Sequence, residues 1–257
     1  MKIDLRLTFH YGLTIFLSAF LLFQVQPMIG KMILPWFGGS ASVWTTCMLF
    51  FQMILLLGYL YSHWIVARLS PRRQSQLHIA LLLASLLVMP IAPSDAWKPT
   101  GAENPTLRIL GLLLVSIGLP YFVLSTTGPL VQAWFAREFP GSSPYRLFAL
   151  SNFASMLALL GYPFLFEPWL ASPQQSVFWS WGYGLFVLVA AALAWKSREL
   201  PPLEHGLPQA EAAPEPRPTP RRLVLWLALA TLGSVTLLAV SNHLTQNISS
   251  IPLLWVI

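Results

Sequence analysis

Few side chains in this 257-residue chain could do chemistry. Lys31 stands in the frame QVQPMIGK with Gln24, Gln26 and Pro27, at the far end of an otherwise charge-free apolar run. An ammonium group at the centre of a bilayer costs roughly 2.5–3.5 kcal/mol on insertion scales, so an ionisable residue at depth points to an ion or substrate pathway. Near the end of a span its four-carbon stem can instead carry the charge out to the headgroups. Both readings of Lys31 stand: a snorkelling anchor, or a contact for an anion or substrate. Gln24 and Gln26 face different sides of a helix, and at least one is expected to hydrogen-bond to a neighbouring helix.

Three further candidates follow along the chain. Asn152, in LSNFAS, sits among Ser151, Ser155, Ala154 and Ala158, small residues whose spacing favours close helix packing with an interhelical hydrogen bond. Glu167, in FEPW, is the carboxylate that directly adjoins an apolar run, either an interfacial residue beside Trp169 or a proton carrier. Asn242, His243, Gln246 and Asn247 form a polar group in which residues four apart would share a side of a continuing helix, reading as an exposed turn or as a substrate-facing vestibule. The histidines are scattered and Cys47 is alone, so no metal, cofactor or catalytic site is expected.

The elements that must position these residues are helices in a membrane. The chain is 56% hydrophobic and only 9% charged, with a mean hydropathy of +0.64, whereas a soluble domain carries about 25% charged residues. Charge-free apolar runs place spans at 8–29, 43–66, 76–92, 107–126, 147–166, 175–195 and 222–241, each near the roughly 20 residues that cross the hydrocarbon. The runs are continuously apolar, which excludes the alternation of a transmembrane barrel. The expectation is an all-α polytopic bundle of seven spans, with Ile251 to Ile257 beginning an eighth. Trp36, Trp44, Trp64, Trp97, Trp134, Trp169, Trp179 and Trp195 fall near span ends and read as an interfacial belt.

With the N-terminus taken as cytoplasmic, all of the 15 Lys and Arg residues except Lys31, Lys98 and Arg108 fall on the cytoplasmic side. That asymmetry is the positive-inside pattern. In this topology the +6 net charge is a one-sided coat and not a nucleic-acid footprint. The Pro-rich segment 196–222 reads as a cytoplasmic linker between a six-helix bundle, 1–195, and the segment 223–257. Sliding the chain by about one hundred residues pairs Pro27, Met28 and Ile29 with Pro129, Leu130 and Val131, and Phe37, Gly39 and Ser40 with Phe139, Gly141 and Ser142. A 3+3 inverted repeat would give this pattern, as would the ordinary composition of membrane loops.

At QPMIGKMILPWFGGSASVWTTCMLFFQ (Gln26 to Gln52), TTGPLVQAWFA (Thr126 to Ala136), YRLFALSNFASMLALLGYPFLFEP (Tyr145 to Pro168) and SNHLTQNISSIPLLWV (Ser241 to Val256), the sequence resembles a bacterial family. It looks like the membrane region of fused major-facilitator-like/spermidine-synthase-like proteins, the integral membrane spermidine synthase homologues. The resemblance implies a bacterial inner-membrane module that anchors, scaffolds or serves as a conduit for a soluble aminopropyltransferase-like domain. That domain's Gly-rich nucleotide loop and catalytic acids are not in this chain, which therefore reads as the N-terminal part of such a protein or a stand-alone relative, and no enzymatic role is assigned to its residues. The alternative is a secondary transporter. Asp and Glu are missing from every charge-free run, so a neutral or anionic solute suits the polar lining better than a polyamine.

Overall fold

The computed structural model describes residues 5–38, 41–101, 104–142, 144–201 and 218–247, and among them it is all-helical. The helices are α1 (Leu5–Phe37), α2 (Ala41–Arg68), α3 (Pro71–Ser85), α4 (Pro105–Leu113), α5 (Leu119–Glu138), α6 (Tyr145–Gly161), α7 (Ser172–Ser197) and α8 (Pro220–Asn247). A π-helical turn, Leu114–Gly118, joins α4 and α5 into one continuous helix, and another, Tyr162–Phe166, extends α6. Among the described residues six helices are long and apolar enough to cross a bilayer: Leu7–Phe37, Ser42–Arg68, Pro105–Glu138, Tyr145–Phe166, Ser172–Ser197 and Pro220–Val240.

Two differences from the sequence expectation have physical causes. The expected third span, 76–92, is instead the 15-residue α3 followed by a short 3-10 turn, Leu86–Val88, and extended chain, so it is not among the six. Pro90 disfavours helical geometry at Met89 and ends the helix early. Conversely, α1 runs eight residues past its expected end at 29, through Pro35, and α5 continues from 126 through Pro129 to Glu138. A proline inside a membrane helix leaves one carbonyl without its partner, and neighbouring helices can supply donors. Around Pro129 the carbonyls flanking the deprived one, that of Ser125, receive such donors: Ser18 Oγ donates to Leu124 O (3.0 Å) and Ser62 Oγ to Thr126 O (3.0 Å).

The chain divides into two units, Met1–Pro202 and Leu203–Ile257. In the first, α1 packs on α5, α6 and α7, while α2 packs on α4 and α5 and α3 on α7. Its interior holds two apolar cores. One gathers Leu21–Ile33 of α1 with Val43–Ile54 of α2, Ile109–Leu124 and the first two-thirds of α7. The other gathers Leu7, Tyr11 and Ile15 of α1 with Ile65, Leu130–Phe139 and Leu193. Between them lies a belt of hydroxyls, Ser18, Ser62, Ser125, Thr126 and Thr127, all buried. Here α2 crosses α5 so closely that Gly58 faces Ser125, and a β-carbon at position 58 would collide with it.

The second unit contributes α8, helical through Asn247 where a polar turn after 241 is expected from sequence. The expected start of an eighth span, Ile251 to Ile257, and most of the linker lie outside the described residues.

Candidate functional site

α1 carries the site because its residues at two-turn spacing share one face. Leu17, Leu21, Gln24 and Met28 line a cavity of about 190 Å³, closed by Tyr162 and Phe166 after α6 and by Gln175 and Trp179 of α7. The Tyr162 hydroxyl donates to Gln175 Oε1 (3.1 Å), and Gln175 Nε2 donates to Leu170 O (2.8 Å). Gln24 is buried, yet its amide forms no hydrogen bond with any described residue, leaving two donors and an acceptor for whatever enters the cavity.

Two turns further along α1, Lys31 lines a second cavity of about 640 Å³ together with Trp36, Pro90, Ile91, Ser172 and Ser176. Its walls are largely apolar, as in most small-molecule sites. The extended segment after α3 forms one side because α7 grips it. Ser180 Oγ accepts from Ile91 N–H (3.3 Å), Ser176 Oγ donates to the Ile91 carbonyl, and the Tyr183 hydroxyl donates to Ser85 Oγ (2.6 Å). Ser176, Ser180 and Tyr183 recur at helical spacing, a signal present in the sequence but absorbed there into a generic apolar run. Trp36 is covered in turn by the Lys98 ammonium, 5.1 Å from its ring centre.

Lys31 Nζ pairs with Glu167 Oε1 at 2.8 Å, and both side chains are about 39% exposed. Glu167 follows Phe166, so the ion pair connects the wall of the smaller cavity to that of the larger. α1 continues beyond Lys31, and the lysine's charge meets a carboxylate on the turn after α6.

Gln26 and Asn152 do not join this site. Gln26 is the glutamine that bonds across, donating to the Tyr121 hydroxyl of α5 (3.1 Å). Asn152 is exposed and makes no interhelical hydrogen bond, because Ala154 and Ala158 turn the other face of α6 inward. Asn242, His243 and Gln246 lie on the last turns of α8, in the other unit, with His243 exposed. The aromatic belt is also incomplete. Trp44, Trp134 and Trp179 are interior, and the last two donate to Gln74 Oε1 (3.3 Å) and Leu21 O (3.0 Å). Among the described residues no three His, Cys, Asp or Glu side chains come together as a metal site.

Sequence reasoning missed a buried polar group at the opposite end of the unit. Arg137, of the last turn of α5, is only 6% exposed, and its Nη1 donates to Gln74 Oε1 of α3 (3.1 Å). His78 stands edge-on to Trp134, ring centres 5.9 Å apart. In sequence Arg137 is one more basic residue of a loop, and only the continuation of α5 past Pro129 brings it inside.

No protein-family model, curated protein or solved structure matches the chain.

Proposed function

We propose that the first unit is a transporter-like module of the bacterial inner membrane, with α3 and its extension serving as a shorter seventh span and the N-terminus cytoplasmic. It holds a small neutral or anionic solute in the two cavities along α1. The observation that carries this reading is the Gln24 amide, which lines a cavity wall and makes no hydrogen bond among the described residues, leaving it open to a ligand or water. The Lys31–Glu167 pair supports the solute class: the carboxylate nearest the cavities is already neutralised, leaving little to replace the hydration of a polycation.

Helix pairing supports the 3+3 inverted repeat. Taking α1–α2–α3 and α4/α5–α6–α7 as triplets, the first helix of each packs on the second of the other, the two first helices pack together, and so do the two third helices. Pro27 and Pro129 lie inside those first helices. The membrane module of a spermidine-synthase-like fusion remains the family reading, supported by the four sequence blocks, of which the first and third meet at Lys31 and Glu167.

The test places a cysteine at Gln24 in a Cys47→Ser background and applies a small water-soluble thiol reagent to intact vesicles. Modification of Gln24→Cys, slowed by the solute that binds, is the expected result. A thiol inert from both sides would mean that the cavity is sealed and the reading is wrong.

A further inference from the structure

The basic end of the first unit contains three electrostatic anomalies at one place. The first is the start of α3. Ser70, its N-cap residue, provides no side-chain cap, Pro71 occupies the first helical position, and no acidic residue lies in the first turn. Instead Arg72 and Arg73 follow, placing two cations at the positive end of the helix dipole, where anions are favoured.

The second anomaly is Arg137. It is more than nine-tenths buried, makes no ion pair among the described residues, and its Nε has no hydrogen-bond partner. A buried charge without a counter-charge is costly. The negative end of α5 offsets part of this, but the bond to Gln74 directs the guanidinium at the positive start of α3. The third is Ser75 Oγ, buried on α3 beside Gln74 and also without a partner.

Gln74 fixes these groups to one another. Its Nε2 donates to Leu69 O (2.7 Å) in the α2–α3 connection, while its Oε1 accepts from both Trp134 and Arg137. Arg137 is therefore held beside the segment that carries Arg68, Arg72 and Arg73. The carboxylate on that last turn of α5 is Glu138, which forms no ion pair among the described residues.

We infer that a phosphate-bearing anion binds between the first turn of α3 and the Arg137 guanidinium. Uncapped amides at a helix start, a guanidinium with free donors and flanking cations together form a phosphate site. In the membrane reading proposed above, this end lies at the cytoplasmic surface, where anionic lipid headgroups present that chemistry. Free phosphate is the other source.

The full chain, purified in detergent, is titrated in separate arms with phosphatidylglycerol, phosphatidylcholine and inorganic phosphate, following the thermal midpoint and native mass spectra. Phosphatidylglycerol should raise the midpoint and remain bound, more so than phosphatidylcholine. Arg137→Gln should weaken this binding about tenfold or more, as expected for loss of a charge-assisted bond. Arg72→Gln/Arg73→Gln should weaken it in the same direction. If inorganic phosphate reproduces the effect and lipid does not, the site takes soluble phosphate. Without added anion, Arg137→Gln should unfold no more readily than the parent, because it removes an uncompensated charge. A midpoint unmoved by either anion, or moved equally in Arg137→Gln and the parent, overturns the inference. Should Arg137→Gln fail to fold, the exposed Arg72→Gln/Arg73→Gln variant decides alone.

Discussion

Lys31 Nζ and Glu167 Oε1, 2.8 Å apart, clamp the C-terminal third of α1 to the turn that follows α6. Each charge is compensated where the helices meet, so neither is free to serve as an isolated counter-ion in the cavities beside it. The pair is half-buried, not dry, and its strength should be that of a screened contact.

A double-mutant cycle with Lys31→Met and Glu167→Gln, followed by unfolding in detergent, should return a coupling of about 1 kcal/mol or less. A coupling of several kcal/mol would show that water is excluded from the pair.

Polyamine uptake is a second discriminator. Vesicles containing this chain alone should not accumulate labelled putrescine above protein-free controls, because the nearest carboxylate is occupied by Lys31. Uptake that disappears in Glu167→Gln would reverse the assignment of solute class.

The crossing of α2 and α5 has no room for a side chain at Gly58. Gly58→Ala should cost about 1–3 kcal/mol, the range for overpacking. Ser125→Gly should recover part of that loss in the double variant by removing the opposing side chain, although the backbone of α5 remains close. An unaltered melting midpoint in Gly58→Ala would mean that the helices stand further apart.

Topology can be read with little background, since Cys47 is buried and only 1% exposed. A single cysteine at Ala212 should react with an impermeant reagent only after the cytoplasmic side is opened. Labelling in intact cells would invert the orientation.

Helicity was legible because long continuous apolar runs leave no other way to satisfy the backbone in lipid. The lengths of α1 and α5 were not. Pro35 and Gly128–Pro129 lie beyond the ends that the apolar runs suggest, and the hydroxyls that bond the α5 carbonyls beside the one Pro129 deprives, Ser18 and Ser62, come from helices far away in the chain. Lys31 and Glu167 were each visible as isolated charges, but their partnership depends on α1 packing against the end of α6. Arg137 illustrates the same limit: a basic residue near a loop carries no sign that it will be buried. Gln24 was visible as a polar residue in an apolar helix, whereas its open amide depends on the shape of three surrounding elements.

The hydroxyl belt separating the two apolar cores has a mechanical consequence. Each core packs its own apolar side chains together, while the helices are joined at the belt by hydroxyl-to-carbonyl bonds and by the Tyr61–Phe122 ring contact. Substitutions on opposite sides should have nearly additive effects on stability. One end of the unit can then loosen by giving up only its own contacts while the other stays closed, as a latch at one end of a box opens without disturbing the hinge at the other.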